Sequence, residues 1–163
     1  MLYSEVWMDV TRMLPEYVTA HCISNDCAMG AGVVLAFRKV FPDLKEACKK
    51  YMSNPDPIWD IWQEIMIPKP YRYEDEHIGV VYNMFTKDKY WMKAGKGITY
   101  NHYLYNLRTS LYYVKEMMIE HSETKLAMPK IGCGLDKCEW EDVRNTIYRV
   151  FDDTNFEIVI CKY

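Results

Sequence analysis

The stretch LAMPKIGCGLD, residues Leu126–Asp136, begins as a short apolar run and ends in a loop with two glycines and one carboxylate, Asp136. The apolar run predicts a β-strand. In an α/β sheet, ligands bind in the crevice beyond the carboxyl ends of the strands, where glycine lets the backbone approach a ligand closely. The stretch therefore predicts a strand that leads into a ligand-binding loop.

A second glycine loop, MGAG at Met29–Gly32, follows the apolar run Tyr17–Ile23 and precedes residues with helical spacing. The run is apolar on both faces, which is typical of a strand covered on both sides. A helix N-terminus after glycines presents backbone N–H groups that bind anions. Close packing of helix on strand explains this loop equally well, because it lacks the full dinucleotide and P-loop motifs. Together, the two loops can hold opposite sides of one diphosphate.

Strands and helices alternate along the rest of the chain. Short apolar runs predict strands, and apolar residues spaced three and four apart predict helices. Besides the two runs above, the predicted strands are Leu2–Val6, His77–Phe85 and Phe156–Cys161, and the further predicted helices are Asp43–Met52, Thr99–His121 and Glu139–Asp152. The alternation predicts an α/β fold with helices on both faces of a largely parallel sheet. A chain of 163 residues suits a single domain.

The composition argues against several classes of protein. Half of the residues are hydrophobic and the formal net charge is -3, which favours neither a nucleic-acid-binding nor a membrane-binding surface. No apolar run approaches the length of about 18 residues that spans a membrane, and the N-terminus has no signal-peptide pattern. We therefore expect a cytoplasmic protein. Its six cysteines are then expected to be reduced thiols, and the absence of CxxC pairs argues against zinc.

Two charged residues are unremarkable by their local sequence. Asp9 follows the first predicted strand, a position typical of a turn or helix-cap carboxylate. Lys87 lies in the sequence TKDK, which is typical of a solvated surface turn. The basic segment Lys87–Thr99 is interpreted either as a mobile loop that closes over a phosphate-bearing ligand or as an exposed hairpin connection.

The segment Tyr51–Tyr73 is aromatic and interrupted by prolines. Trp59 and Trp62 are spaced as on a helical turn, which favours a place in the peripheral core over a contact with substrate.

Two stretches together resemble a known family, the macrodomains, which bind ADP-ribose. They are AHCISNDCAMGAGVVLAF at Ala20–Phe37 and MPKIGCGLDKCEWEDV at Met128–Val143. The resemblance runs from about Tyr3 to the C-terminus, and it is strongest to the terminal ADP-ribose protein glycohydrolases and the related ADP-ribose 1''-phosphate phosphatases. It implies a three-layer macrodomain over residues 1–163, with a mixed, largely parallel central sheet flanked by helices.

The resemblance also implies which residues bind ADP-ribose. Asp9 and the adjacent backbone of Val10 match the adenine-binding position, although Met8 replaces the glycine that precedes it in the family. Tyr163 matches a terminal position near the adenosine, where the residue type differs. The residues that match the two loops around the diphosphate and the distal ribose are Ser24, Met29, Gly30, Ala31, Gly32 and Val33 in the first loop, and Pro129, Ile131, Gly132, Cys133, Gly134 and Leu135 in the second.

Two residues match catalytic positions of the glycohydrolase subgroup. Lys87 aligns with a lysine nucleophile and Asp136 with its acidic partner. The implied reaction removes mono-ADP-ribose from acidic side chains of a modified protein, or from nucleic acid, without metal or cofactor. It requires Lys87 to attack the anomeric carbon as a neutral amine while Asp136 takes and returns protons. We expect a monomer with ADP-ribose and the ADP-ribosylated macromolecule as partners, and no membrane.

Other functions are compatible with the same motifs. The pocket also suits hydrolysis of ADP-ribose 1''-phosphate, or removal of ADP-ribose from a nucleic-acid base. A non-catalytic ADP-ribose reader would bind without turnover and would not need Lys87 and Asp136. A structural module is a further alternative, in which the extra segment containing Trp59 and Trp62 fills the pocket; the same segment would otherwise serve as a lid.

Overall fold

The computed structural model describes residues 1–60 and 65–162. The six strands of its central sheet are β1 (Leu2–Trp7), β2 (Val18–Ser24), β5 (Tyr71–Asp75), β6 (Gly79–Lys87), β9 (Lys125–Pro129) and β10 (Glu157–Lys162). They lie in the order β1-β10-β9-β2-β6-β5 across the sheet. All neighbours pair in parallel except β5 and β6, which pair antiparallel.

Helices cover both faces of this sheet. They are α1 (Val34–Val40), α2 (Leu44–Met52), α3 (Tyr100–Glu120) and α4 (Trp140–Phe151), and a short 3-10 helix covers Val10–Met13. Alternate residues of β6 enter different cores: Tyr82 and Met84 pack with α3 and α4, whereas Val81 and Phe85 pack with α1 and α2. The predicted fold class, a mixed and largely parallel sheet between layers of helices, is confirmed.

The segment between α2 and β6 differs from the prediction. Pro57–Asp60 (β3) and Ile65–Pro68 (β4) form a separate antiparallel pair, and β5 then joins the main sheet at its edge. Among the residues that the structure describes, four strands follow one another with no helix between them, so the predicted strict alternation is wrong here. Trp59 lies on a strand and is 55% exposed, so its predicted place on a helical turn in the peripheral core is also wrong. Trp62 lies outside the described residues.

The segment after β6 contains two very short strands, Lys93–Ala94 (β7) and Gly97–Ile98 (β8), before α3 begins. Thr99 caps α3, since its side chain accepts a hydrogen bond from the backbone N–H of His102 at 3.1 Å. Within the described ranges, no helix combines the length and apolar character needed to cross a membrane. All six cysteines lie in these ranges and are free thiols.

Candidate functional site

Lys87 is the last residue of β6, not a turn residue as its local sequence indicated. Its Nζ donates hydrogen bonds to Asp136 Oδ1 at 2.5 Å, to the carbonyl oxygen of Met92 at 2.8 Å and to that of Tyr90 at 3.0 Å. A lysine ammonium has three N–H donors, so this environment satisfies all of them. Only about 10% of the Lys87 side chain is exposed. The lysine is therefore held in a fixed position beside a carboxylate.

Asp136 lies in the loop between β9 and α4, and three parts of the chain converge on it. Oδ1 accepts from Lys87, Oδ2 accepts from the hydroxyl of Tyr103, and the backbone oxygen accepts from the N–H of Ala94 at 2.8 Å. The carboxylate is 12% exposed. The structure thus brings together the two predicted catalytic residues, which are 49 positions apart in sequence.

Tyr103 is a residue of this site that sequence reasoning missed. It is fully buried in the first turn of α3, and Thr86 Oγ1 donates to its hydroxyl at 3.1 Å. Burial, with Cys22 and Asp136 nearby, raises the pKa of Tyr103 well above its usual range. The hydroxyl therefore stays protonated and serves as a donor to Asp136. No local signal in the sequence distinguishes Tyr103 from the other tyrosines of this helix.

The first glycine loop follows β2. Met29 and Gly32 have positive φ angles of 50° and 81°, so the backbone here turns through the left-handed region. Arg38 Nη1 donates to the carbonyl oxygen of Met29 at 2.9 Å, which fixes one end of the turn. Within the described part of the chain, the backbone N–H groups of Gly30, Ala31 and Gly32 donate to no protein acceptor. These groups are available to an anion.

The second glycine loop follows β9 and packs against Tyr103. Gly132 has a φ of 72°, and a Cβ added there would lie 3.3 Å from Tyr103 Cε1. Only glycine allows this backbone to turn so close to the ring. The N–H groups of Gly132, Gly134 and Leu135 have no acceptor among residues 1–60 and 65–162. The loop therefore offers unpaired donors, as the first glycine loop does.

The two glycine loops lie close to each other. A Cβ added to Gly32 would lie 3.3 Å from Leu135 Cδ1. Leu135 is 60% exposed and Val33, beside Gly32, is 40% exposed, so each loop has an exposed apolar side chain near this contact. Of the other residues expected to bind ADP-ribose, Ser24 and Ile131 are buried, whereas Pro129 and Cys133 are half-buried.

The predicted adenine-binding end lies after β1. Asp9 caps the 3-10 helix: its Oδ1 accepts from the N–H of Thr11 at 2.9 Å and from its hydroxyl at 2.8 Å. Val10 is buried. A cavity of about 530 Å³ lies beside Asp9 and is lined by Trp7, Met8, Asp9, Arg12 and Lys162. Tyr163, which was expected near the adenosine, lies outside the described residues.

The order of the strands places these features in a row. The strands β1, β10, β9, β2 and β6 are parallel, so their carboxyl ends lie along one edge of the sheet. Asp9 follows β1 at one end of this edge, and Lys87 ends β6 at the other. The second glycine loop, after β9, and the first glycine loop, after β2, lie between them. Four strand spacings separate the two ends, roughly 19 Å. The candidate residues therefore form an elongated row, with the lysine and carboxylate at one end.

The described residues contain no group of three or more His, Cys, Asp or Glu side chains arranged to hold a metal ion. The groups that the site does offer are backbone donors, one ammonium, one carboxylate and a tyrosine hydroxyl. Such a set can bind an elongated anion and can transfer a proton between Lys87 and Asp136.

Comparison with curated proteins gives two informative relatives, although no family model matches the sequence. The ADP-ribose glycohydrolase OARD1 of Homo sapiens is 33% identical over 141 residues, which cover 86% of this chain and 78% of that protein. The ADP-ribose 1''-phosphate phosphatase of Meyerozyma guilliermondii is 26% identical over 141 residues, covering 77% of this chain and 79% of that protein.

Comparison with solved structures shows the same fold. The macrodomain of Mycobacterium tuberculosis DarG has a TM-score of 0.75 and 20% identity, covering 98% of this chain and 97% of that one. Thermosipho africanus DarTG, solved in complex with ADP-ribose, has a TM-score of 0.78 and 18% identity, covering all of this chain and 42% of that one.

Proposed function

This chain belongs to the macrodomains, in the subgroup of ADP-ribose glycohydrolases, and from this membership we propose that it hydrolyses mono-ADP-ribose from modified macromolecules. The favoured attachment is an ester to an acidic protein side chain. The observation that carries the proposal is the 2.5 Å contact between Lys87 Nζ and Asp136 Oδ1 at one end of the row of strand ends. A pure reader of ADP-ribose would have no use for this buried pair at the place where the distal ribose would lie.

In this proposal, ADP-ribose lies along the row of strand ends. Asp9 and Val10, with Tyr163, bind the adenosine end. The two glycine loops hold the diphosphate from opposite sides. Their unpaired backbone N–H groups support this binding role for both loops. The distal ribose then reaches Lys87 and Asp136. The loop residues proposed to bind are Ser24, Met29, Gly30, Ala31, Gly32, Val33, Pro129, Ile131, Gly132, Cys133, Gly134 and Leu135.

In the first chemical step, the bond from the anomeric carbon to the acceptor oxygen is replaced by a bond to Lys87 Nζ. Lys87 passes a proton from Nζ to Asp136 Oδ1, across the 2.5 Å hydrogen bond, and becomes a neutral amine. The amine attacks the anomeric carbon, so a C–N bond forms as the C–O bond to the acceptor breaks. Positive charge develops on the ribose, as in glycoside hydrolysis. The acceptor leaves as a carboxylate, which needs no proton.

The second step restores the enzyme. Water adds to the anomeric carbon, the C–N bond breaks, and the water loses one proton to solvent. Asp136 returns its proton to Lys87, so the net products are ADP-ribose, the free carboxylate and one proton. The glycine loops hold the reacting carbon within reach of both side chains. The entropy lost in bringing the carbon and these side chains together is therefore already offset by binding, and it does not add to the barrier of the chemical step. Tyr103 holds Asp136 through Oδ2, leaving Oδ1 directed at Lys87.

We further propose that residues 1–163 act as one macrodomain, as a monomer in the cytoplasm, without a metal or cofactor. The acceptor is taken to be protein, with nucleic acid as the second substrate class.

The proposal is tested by offering the purified protein three substrates that share ADP-ribose and differ in the acceptor. They are a glutamate-linked ADP-ribosylated protein, ADP-ribose 1''-phosphate, and DNA carrying ADP-ribose on a base. We expect the fastest release of ADP-ribose from the glutamate linkage. Tight binding of ADP-ribose in calorimetry without release from any substrate would instead identify a reader. Failure to bind ADP-ribose at all would refute the assignment of the two glycine loops.

A further inference from the structure

Asp26 lies two residues after β2, at the start of the first glycine loop, and both of its carboxylate oxygens are engaged. Oδ1 accepts from Ser24 Oγ at 2.5 Å and from the backbone N–H of Ala28 at 3.1 Å. Oδ2 accepts from the backbone N–H of Tyr90 at 3.0 Å. One carboxylate thus joins the residues that lead into the first glycine loop to a segment 64 residues later in the chain.

The segment on the other side of this link is the one that holds Lys87. The carbonyl oxygens of Tyr90 and Met92 accept two of the three hydrogen bonds from Lys87 Nζ. A second contact reinforces the link, because the N–H of Asn25 donates to the carbonyl oxygen of Lys87 at 2.9 Å. The position of the Lys87 amine therefore depends on a loop whose own position depends on Asp26.

We propose that Asp26 is a positioning residue, which couples the first glycine loop to Lys87 by holding the Tyr90–Met92 segment in place. The inference rests on the proposed function, in which Lys87 attacks the substrate. Asp26 touches neither the reacting atoms nor Lys87 directly. Asp26 fixes the positions of the Tyr90 and Met92 carbonyl oxygens. These oxygens in turn orient the Lys87 amine when the first glycine loop holds its ligand.

The chemistry of a carboxylate suits this link. Partial burial raises the pKa of Asp26, but the hydrogen bonds from Ser24, Tyr90 and Ala28 together lower it by more. The pKa of Asp26 is therefore below its usual value. The side chain is therefore ionised at neutral pH and accepts on both oxygens. Hydrogen bonds to an ionised acceptor are stronger than those between neutral groups, so they fix both loops with a single side chain.

Substitution by asparagine separates the two halves of the link. An amide has one accepting oxygen and one donating NH2 group. Two donors, from Ser24 and Ala28, face one side of Asp26, and a single donor, from Tyr90, faces the other. The amide oxygen of Asp26→Asn will therefore turn toward the two donors, which preserves the glycine loop and breaks the link to Tyr90. Asp88→Asn is the matched control, since it makes the same charge change in an exposed neighbour with only a 3.5 Å contact to Asn25.

The experiment measures kcat on the glutamate-linked substrate, Kd for ADP-ribose by calorimetry, and the rate at which Lys87 is acetylated by acetic anhydride, read by mass spectrometry. For Asp26→Asn we expect kcat to fall by about ten- to a hundredfold, as a small misplacement of a reacting group does. Kd should change by less than about twofold, because the loop donors to Asp26 Oδ1 are kept. Lys87 should be acetylated several times faster, because its ammonium loses fixed acceptors. Asp88→Asn should leave all three values unchanged.

A second variant addresses the same hydrogen bond from the donor's side. Tyr90→Pro removes the backbone N–H and leaves Asp26 intact, and it should reproduce the effects of Asp26→Asn. Combining both substitutions should add little to either alone. An unchanged kcat and acetylation rate in Asp26→Asn would overturn the inference, as would a loss of kcat matched by an equal loss of ADP-ribose affinity. If the wild type releases no ADP-ribose, the proposed function fails, and the acetylation rate alone then decides whether Asp26 positions Lys87.

Discussion

The hydroxyl of Tyr103 donates a hydrogen bond to Asp136 Oδ2, and the ring of the same tyrosine packs against Gly132 of the second glycine loop. One buried side chain therefore supports both the proposed proton acceptor and the backbone proposed to hold the diphosphate. Thr86 completes the arrangement by donating to the tyrosine hydroxyl at 3.1 Å.

Removing this hydroxyl should affect catalysis more than binding. Tyr103→Phe keeps the ring against Gly132 but leaves Asp136 Oδ2 without its donor, so the carboxylate is free to turn away from Lys87. We expect kcat to fall about tenfold with the Kd for ADP-ribose nearly unchanged. The free energy of unfolding should fall by about 1.5 to 3 kcal/mol, because a hydrogen bond to a largely buried carboxylate is lost. Steady-state kinetics and calorimetry measure the two effects, with Tyr112→Phe on the exposed side of α3 as control. Equal losses in kcat and in affinity would contradict this role.

The glycines of the second loop should differ in how they tolerate alanine. Gly132→Ala forces a Cβ into a left-handed backbone 3.3 Å from Tyr103, which should destabilise the fold by about 1 to 2 kcal/mol. Gly134 has neither a left-handed φ nor any atom within 4 Å of an added Cβ, so Gly134→Ala should cost less than about 0.5 kcal/mol. Urea denaturation of both variants gives the comparison. Equal stabilities would mean that the loop is not held against Tyr103.

Stability should depend on pH through His21. This side chain is fully buried, its Nε2 lies 2.6 Å from Asn83 Oδ1, and burial lowers its pKa from 6.5 to about 4. Between those values the unfolded chain binds a proton that the folded protein does not, so the free energy of unfolding should fall as pH falls from 6.5 to about 4. The full effect is roughly 3 kcal/mol. Denaturation of wild type and His21→Gln across this range is the test, with the exposed His77→Gln as control. A slope that persists in His21→Gln would assign the effect to other groups.

The edge of the sheet should depend on the pair of Arg72 and Glu123. Arg72 Nη2 lies 2.6 Å from Glu123 Oε2, Tyr82 donates to Glu123 Oε1 at 2.5 Å, and the two charged side chains are about 15% exposed. Glu123→Ala leaves a largely buried guanidinium without its main partner, which should cost about 2 to 3 kcal/mol and lower Tm by about 5 to 10 °C. Glu46→Ala, which breaks an exposed 3.9 Å pair with Lys49, should change Tm little. Calorimetry that finds equal Tm values for both variants would contradict this account.

The four inner strands of the main sheet, β10, β9, β2 and β6, could be predicted because they are buried on both faces, whereas the half-buried edge strand β5 was missed. Such strands form short apolar runs, as in β2 and β9, that stand out from the amphipathic helices between them. The pair of β3 and β4 could not be predicted, because its residues pair with each other outside the main sheet and leave the apolar side chains of Trp59 and Met66 exposed. Spacing alone then suggested a helical turn for Trp59.

In the candidate site, too, some residues could be predicted from the local sequence and others could not. Glycines and Asp136 carry a local signal, because few other positions need such residues after a strand. Lys87 does not: its surroundings in sequence are those of a turn, and only the extension of β6 and the fold of the next segment bury it. Tyr103 and Asp26 acquire their roles from partners 33 and 64 residues away, which no local pattern reveals.

In the proposed function, Lys87 and Asp136 carry the reaction without being needed to bind ADP-ribose. The most direct test is the rate of ADP-ribose release from a glutamate-linked substrate by Lys87→Ala and Asp136→Ala, each paired with a calorimetric Kd. Lys89→Ala, an exposed lysine two residues along, is the control. We expect both site variants to lose about a thousandfold or more in rate while Kd changes by less than about threefold. Release at the wild-type rate by either variant would contradict it.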